Sequence, residues 1–415
     1  MNRISLLVLF ALSLSAASIQ TGKPEDVGFS AERLSRIHEA VQRHIDARDI
    51  SGAVTLVARR GRVVNFEAHG VMNLESNKAM AKDDLFWIAS MSKPITGTAI
   101  LMLVEEGKIR LTDPVSKFIP ELRGLKVAVM EERSGPPARA ASAEPQFYTI
   151  PSAHEITIRD LLTHTSGLMS GGPASTAEGQ KIARKPGEKL ADYIPRLAAT
   201  PLDFQPGTRW SYSPSAGFDT LGRIVEIVSG EPFDQFLRQR IFEPLGMKDT
   251  FFHPVEERLG RIPTMYHRDG GTLAKVDMSD RMNNTTYFSG AGGLMTDAED
   301  YVQFGEMLLN GGAWNGKRLL SPKTIELMSS VHVPDTLPGR PKGRGFGLSV
   351  QVVSDAIAAN YRVSDGSFGW DGAFGTHFWV DPKEKVVGIV LVQTNNPNRE
   401  LDRDFENAVM QAMVD

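Results

Sequence analysis

The chain carries β-type sequence at its two ends and helical patterns through its middle. Short apolar, β-branched segments occupy residues 53–59 and 63–68, and again 345–353, 375–380 and 385–393. Such segments fit antiparallel strands, but neither group alone is large enough to form a stable sheet. We therefore expect an α/β (α+β) fold with one antiparallel sheet, built from both chain ends and flanked by helices.

The middle of the chain predicts a series of helices. Residues 95–106 form an apolar run that ends at Gly107, a common residue at helix ends. Helical spacing recurs at 220–229 and 297–309, and a first helix is predicted at 30–47, before the first strands.

These patterns divide residues 18–415 into two lobes of one domain. The sheet lobe takes residues of about 22–85 and 335–415, and the helical lobe those of about 86–334. A binding site is then expected in the cleft between the lobes. Residues 128–147, rich in proline and alanine, predict an exposed loose hairpin or flap.

The N-terminus has a different composition. Arg3 gives a basic start, residues 4–16 are apolar, and Ser15-Ala16-Ala17 offers small residues for cleavage before Ser18. The apolar run is shorter than the roughly 20 residues of a membrane-spanning helix. This layout is typical of a secretory signal peptide. We expect residues 1–17 to be removed and the protein to be exported, either to a periplasm or to the medium.

Composition excludes several classes of function. The formal net charge of −4 gives no reason to expect nucleic acid or an anionic membrane as a partner. The absence of cysteine removes disulfides, thiol nucleophiles and cysteine-ligated metals. The histidines show no H-x-H or H-E-x-x-H spacing and there is no glycine-rich phosphate loop, so we expect neither a metal nor a cofactor. Composition leaves the oligomeric state open.

The strongest chemical signal is Ser90-Met91-Ser92-Lys93, the single S-x-x-K in the chain. At the start of a helix, residues three apart share one face, so the lysine amine can reach the serine oxygen. The helix N-terminus favours an alkoxide, and a partly buried lysine can accept a proton. Pro94 in the first turn supports a helix that begins here.

In context, this motif resembles the nucleophile motif of the class C β-lactamase superfamily, which includes penicillin-binding proteins, DD-peptidases and family VIII carboxylesterases. The resemblance rests on Ile88-Ala89-Ser90-Met91-Ser92-Lys93 together with Leu161-Leu162-Thr163-His164-Thr165-Ser166-Gly167-Leu168. The run from Pro206-Gly207 to Tyr212-Ser213 and the loop Ser289-Gly290-Ala291-Gly292-Gly293-Leu294 agree in order and spacing. It implies a β-lactamase/transpeptidase-like fold across nearly all of the mature chain.

The resemblance also assigns roles. Ser90 becomes the acylating nucleophile, and Lys93 with Tyr212 moves protons to and from it. A phenol is a poor base unless a nearby cation stabilises its anion, so Lys93 and Tyr212 should act as a coupled pair. His164 matches a structural histidine of the family, which holds its loop by a hydrogen bond and does not act as a base.

Two motifs depart from the family pattern. Pro214 stands where asparagine is usual, so a side-chain contact to a substrate amide is missing. Trp370-Asp371-Gly372 stands where lactamases and peptidases carry a cation, and is closer to the W-G-G of family VIII esterases. Trp370 and Gly372 are therefore expected to bind the substrate, and the backbone N–H groups of Ser90 and Ala373 to form the oxyanion hole.

These residues predict a serine hydrolase that acts on a small-molecule ester or amide. Without a cation at Trp370, the site should favour neutral acyl esters, as a carboxylesterase would. The same Ser90, Lys93 and Tyr212 also fit a β-lactamase or a D-amino-acid peptidase. A third alternative is a non-catalytic protein that binds cell-wall fragments.

Overall fold

A computed structural model describes residues 19–131, 146–283 and 285–415. The predicted signal peptide at 1–17 lies outside these residues, so cleavage and export stay predictions. Within the described part of the chain, none of the helices combines the length and the hydropathy that a bilayer crossing requires.

The strands include those predicted at both ends of the chain. In the described ranges they are β1 Gln20–Thr21, β2 Gly52–Arg59, β3 Arg62–Asn73, β4 Lys78–Ala79, β5 Phe86–Trp87, β6 Lys126–Met130, β7 Phe147–Pro151, β8 Tyr266–Asp269, β9 Thr272–Lys275, β10 Met295–Thr296, β11 Ala313–Trp314, β12 Lys317–Arg318, β13 Arg344–Phe346, β14 Gln351–Val353, β15 Phe368–Asp371, β16 His377–Asp381, β17 Val386–Leu391 and β18 Thr394–Asn395.

The main sheet joins the two ends of the chain, as predicted. Its strands lie in the order β1-β3-β2-β17-β16-β15-β14-β13, with β4 paired to β3. The junction is the antiparallel pair β2–β17, in which Arg59 lies opposite Val386 and Val54 opposite Leu391. Every residue of β2 is buried, which fits a central strand covered on both faces.

Two details differ from the predicted strands. The sheet is not wholly antiparallel, because the short strand β1 runs parallel to β3. The single strand predicted at 345–353 is a tight hairpin of β13 and β14. Ser349 adopts a left-handed φ of 70° in the turn, and the Gly347 amide donates to the Val350 carbonyl.

Helices cover both faces of the sheet and fill the middle of the chain. In the described ranges they are α1 Ala31–Leu34, α2 Arg36–Asp46, α3 Ser92–Glu105, α4 Ile158–Leu162, α5 Pro173–Lys181, α6 Leu190–Tyr193, α7 Ala216–Ser229, α8 Phe233–Leu237, α9 Glu243–Leu245, α10 Ser279–Asn283, α11 Ala298–Leu309, α12 Pro322–Ser329, α13 Ala356–Ala359 and α14 Glu400–Met410.

Short 3₁₀ helices and one π-helical turn connect them. The 3₁₀ helices are Pro24–Val27, Ala89–Met91, Val115–Lys117, Pro120–Leu122, Ile194–Ala199 and Glu256–Arg261, and the π turn is Arg238–Phe242. The helix predicted at 30–47 is divided at Ser35 into α1 and α2, and Ser30 caps its start by accepting from the Arg33 amide.

Two hydrophobic cores lie on opposite faces of the sheet. The larger core holds α3, α7 and α11 together with Leu56 of β2. The smaller one packs α2 and α14 against Val57 of β2 and Trp379 of β16. This layering places α3, which follows Ser90, on one face of the sheet and α2 on the other. The lobe boundaries predicted at about 86 and 335 remain a prediction.

The excursion predicted at 128–147 begins and ends as an antiparallel hairpin. Strands β6 and β7 pair from Lys126 opposite Pro151 to Met130 opposite Phe147. Residues 132–145, between the two strands, lie outside the described residues.

Candidate active site

Ser90 lies in a tight turn that leads into α3. The residue before it, Ala89, has a φ of 43°, which a side chain adopts only at a cost in backbone energy. The chain is anchored just upstream, where the Ile88 amide donates to the Leu294 carbonyl over 3.1 Å. In this turn, Ala89 and Ser90 both line the wall of a cavity.

The three side chains predicted to do the chemistry meet in one place. The Lys93 Nζ lies 3.1 Å from the Ser90 Oγ, and the Tyr212 hydroxyl lies 2.6 Å from the same oxygen. The Lys93 Nζ also lies 4.9 Å from the centre of the Tyr212 ring. Because Tyr212 is 122 residues from Ser90 in sequence, only the fold can bring it into hydrogen-bonding reach.

Lys93 is almost completely buried, at 1% exposure. Burial lowers the pKa of Lys93, because the ammonium loses its hydration; Tyr212 and Asp219 partly oppose this shift. Its Nζ donates to the Pro214 and Ala291 carbonyls, each over 2.8 Å. The two carbonyls hold the nitrogen directly beside Ser90.

Asp219, a buried residue of α7, organises the loop that supplies one of these carbonyls. It accepts hydrogen bonds from the Tyr287 hydroxyl at 2.8 Å, the Ser289 hydroxyl at 2.6 Å and the Ala291 amide at 3.0 Å. Burial raises the pKa of Asp219, although these bonds and Lys93 oppose the shift. Asp219 therefore positions Ala291 and, through it, Lys93.

Sequence reasoning missed Asp219, because the helix was predicted to begin at residue 220, whereas α7 begins at Ala216 and includes Asp219. The available signal was a carboxylate in an otherwise apolar helical turn, where it must find hydrogen-bond donors. Sequence reasoning also missed the carbonyls of Pro214 and Ala291, because a backbone acceptor leaves no trace in residue identity.

Tyr212 is held by a cluster of rings. Its ring centre lies 4.6 Å from that of His164 and 5.7 Å from that of Trp370. His164 is buried, which keeps its pKa well below the usual range, and its Nδ1 accepts from the Ser213 amide over 3.2 Å. The hydrogen bond confirms the prediction that His164 holds its loop, next to Tyr212.

Strand β15 carries Trp370 close to the site, and Gly372 directly follows the strand. Of the described residues, Ala373 and Phe374 line the Ser90 cavity, whereas Trp370 and Gly372 do not. Trp370 instead contacts Tyr212. A methyl group on Gly372 would lie 2.3 Å from the Ile88 carbonyl oxygen, so glycine allows β15 to approach the turn that carries Ser90. Contact of Trp370 and Gly372 with a substrate stays a prediction.

Asp371, between them, lies on the other face of the sheet, where its half-exposed carboxylate meets the buried side chains of His377 and Glu406. Its carboxylate lies 2.6 Å from the His377 Nδ1, and the His377 Nε2 lies 3.1 Å from Glu406. Burial alone would lower the pKa of His377, but these two carboxylates raise it well above the usual range. Arg399 in turn donates to the Gly372 carbonyl. These contacts hold the end of β15 from the sheet face opposite to that of Tyr212.

The cavity beside Ser90 has a volume of about 560 Å³ and a wall rich in aromatic rings. Its aromatic residues are Trp87, Tyr193, Tyr212, Phe252, Tyr287 and Phe374. Arg184 and Arg281 also line it, and the Arg281 guanidinium lies 5.2 Å from the centre of the Phe374 ring. The cavity can accept an organic substrate of moderate size.

A serine in a strained turn, a buried amine with a lowered pKa and a tyrosine meet beside an aromatic cavity, and together they define a serine hydrolase. The sequence comparisons give the family. The model of the Beta-lactamase family matches residues 37–412, and the chain belongs to this family.

Relatives cover most of the chain. Protein Rv1367c of Mycobacterium tuberculosis is 36% identical over 361 residues, which are 84% of this chain and 87% of the relative. Esterase EstB of Burkholderia gladioli is 30% identical over 412 residues, covering 92% and 95%. The solved structure of EstCE1, a hydrolase with promiscuous acyltransferase activity, superposes with a TM-score of 0.77 at 27% identity, covering 91% of this chain and 99% of that one. The fold prediction is confirmed.

Proposed function

We propose that the protein is a carboxylesterase that forms an acyl-enzyme on Ser90. The single observation that carries this proposal is the convergence on the Ser90 Oγ of the Lys93 amine, at 3.1 Å, and the Tyr212 hydroxyl, at 2.6 Å. A serine hydroxyl is a weak nucleophile until a neighbouring group removes its proton.

The partners of Lys93 suggest how the proton moves. A neutral amine has two N–H groups, which the Pro214 and Ala291 carbonyls accept. Its lone pair then points toward the third neighbour, the Ser90 Oγ. An ammonium would instead donate to all three oxygens. Because burial lowers the pKa of Lys93, its neutral form is more accessible than that of a lysine in water.

The reaction then has two halves. The Ser90 Oγ attacks the ester carbonyl as its proton passes to the Lys93–Tyr212 pair, and the N–H groups of Ser90 and Ala373 bind the carbonyl oxygen as it becomes negative. The pair returns the proton to the departing alkoxide, which leaves as the alcohol. Water attacks the acyl-enzyme in the same way, and the acid leaves as Ser90 regains its proton.

We propose small neutral acyl esters as substrates. The aromatic wall of the cavity supports an apolar acyl group, and Trp370 packs on Tyr212 where a substrate-binding cation would stand in a lactamase. The relative Esterase EstB supports the reaction type.

The test is hydrolysis of p-nitrophenyl acetate and p-nitrophenyl butyrate by wild-type protein and by Ser90→Ala, with Ser92→Ala as the matched control. Ser92 is a buried neighbour on the same turn, and its hydroxyl accepts from the Leu294 amide over 3.2 Å. We expect Ser90→Ala to lose ~10⁴-fold or more in kcat, and a fluorophosphonate to label wild-type protein only at Ser90. Unchanged hydrolysis by Ser90→Ala rules out this function.

One observation favours a second candidate, a β-lactamase or a D-amino-acid peptidase. Arg184 and Arg281 line the same cavity as Ser90 and could bind a substrate carboxylate. Turnover of nitrocefin, or release of terminal D-alanine, faster than ester hydrolysis would favour this candidate. Arg281→Met should then reduce nitrocefin turnover while leaving p-nitrophenyl acetate hydrolysis within about threefold of wild type.

A further inference from the structure

Three potential metal ligands meet on the sheet face opposite to that of α3. His38 lies on α2, and Glu67 and His69 lie two residues apart on β3, so that both point to the same face of the sheet. The His38 Nδ1 lies 3.6 Å from the Glu67 Oε2, and the centres of the two imidazole rings are 5.2 Å apart. One ligand atom from each residue lies within 4.8 Å of the others.

Hydrogen bonds on the sheet assign the tautomer of His69. The Thr55 hydroxyl donates its proton to the Asn65 Oδ1 over 3.2 Å, so the Thr55 oxygen can only accept from the His69 Nε2, at 3.0 Å. The His69 Nε2 therefore carries the proton, and Nδ1 carries a lone pair. This assignment leaves Nδ1 ready to bind a cation.

The lone pair on Nδ1 has no partner within the described residues. His69 is 2% exposed, and its Nδ1 accepts no hydrogen bond there. A buried acceptor without a donor has lost the hydrogen bond that water would supply, so binding of a cation at Nδ1 would be stabilising.

We propose that His38, Glu67 and His69 bind a divalent transition metal ion of the zinc type. Two imidazoles and a carboxylate are a common ligand set for zinc, with water completing four-coordination. Outer hydrogen bonds already orient two of the ligands, since Thr55 fixes His69 and Asn65 donates to the Glu67 Oε1 over 2.6 Å. The metal would join α2 to β3.

The other cluster of similar composition has no histidine nitrogen without a hydrogen-bond partner. In the group of Asp371, His377 and Asp402, both ring nitrogens of His377 already face carboxylates, and Asp402 is paired with Arg399 over 3.1 Å. The proposed ion would also lie on the opposite face of the sheet from α3, so it would stabilise the fold and would not take part in ester hydrolysis.

The test is Zn²⁺ binding to protein without a histidine tag, after treatment with a chelator, measured by competition with a chromophoric chelator. We expect one ion per chain, visible d–d absorption on loading with Co²⁺, and a melting temperature that rises with Zn²⁺ concentration. His69→Ala and His38→Ala should each weaken binding by about 100-fold or more, and Glu67→Gln by about tenfold or more. His267→Ala, an exposed histidine elsewhere, is the matched control and should bind as wild type.

The variant His38→Ala separates loss of metal binding from loss of folding. His69 is buried, so its replacement can impair folding, whereas 58% of the His38 side chain is exposed. His38→Ala should hydrolyse esters like wild type, with or without Zn²⁺. Absence of saturable binding, or unchanged binding in His38→Ala, overturns the proposal. Binding that is lost in Asp402→Asn but kept in His38→Ala moves the site to the Asp371 cluster and also overturns it.

Discussion

Replacing Gly372 by alanine tests whether the end of β15 must touch the turn that carries the nucleophile. A methyl group at this position would lie 2.0 Å from the Thr376 Oγ1 and 2.3 Å from the Ile88 carbonyl oxygen. The Thr376 side chain can rotate away. The Ile88 carbonyl cannot move alone, because it precedes the strained Ala89 and Ser90.

The size of the effect follows from this distance. An ordinary contact of a methyl carbon with an oxygen is about 3.4 Å, so β15 and the Ser90 turn must separate by roughly 1 Å. Overpacking of this kind costs about 1–3 kcal/mol of stability, and a displacement of 1 Å at reacting groups can cost about 10²-fold in rate. Because Ala373 follows Gly372 directly, the N–H groups of Ser90 and Ala373 would both move.

The assay is kcat for p-nitrophenyl butyrate together with the melting temperature. Gly372→Ala should lose about 100-fold in kcat and melt a few degrees lower. Gly260→Ala is the matched control, since a methyl group there meets open space within 4 Å. If Gly372→Ala keeps the kcat of wild type, the close approach of β15 is not what positions the site.

Four further predictions concern the site and the stability of the fold. Tyr212→Phe should lower kcat by about 10²–10⁴-fold without a change in melting temperature, and an effect below tenfold would remove the hydroxyl from the mechanism. Pro214→Asn keeps the carbonyl that holds Lys93, so ester kcat should stay within about tenfold, whereas a larger loss would contradict the backbone role. The value of kcat/KM should fall as pH drops through the pKa of Lys93, which burial lowers. A pH profile in which kcat/KM falls at the pKa of a free lysine would refute a buried base. Burial raises the pKa of Glu306 to about 7, so the folded state loses stability as pH rises from about 4.5 through 7. Glu306→Gln should therefore raise the free energy of unfolding by up to about 3 kcal/mol at about pH 8.5 and by almost nothing at about pH 4. Urea unfolding at the two pH values measures this difference.

Patterns that depend on local spacing could be predicted from the sequence. The S-x-x-K spacing on a helix start was enough to place Lys93 beside Ser90, and strand patterns at both chain ends were enough to predict one sheet built from both ends. The hairpin at 345–353 was missed because its turn uses a left-handed Ser349, for which serine carries no signal. The proximity of His38, Glu67 and His69 could not be predicted from the sequence, because it depends on how α2 packs on β3.

The site contains two kinds of position, which differ in what a substitution can change. In the proposed mechanism the side-chain atoms of Ser90, Lys93 and Tyr212 take part in the reaction, so residue identity at these positions is restricted. At positions 214 and 291 the contribution is a carbonyl oxygen, which every residue possesses. Proline at 214 therefore removes an amide that could contact substrate but leaves the acceptor for Lys93 in place. The departure from the family motif at this position therefore bears on which substrate binds, and it leaves the contact that holds Lys93, the proposed proton acceptor of Ser90, intact.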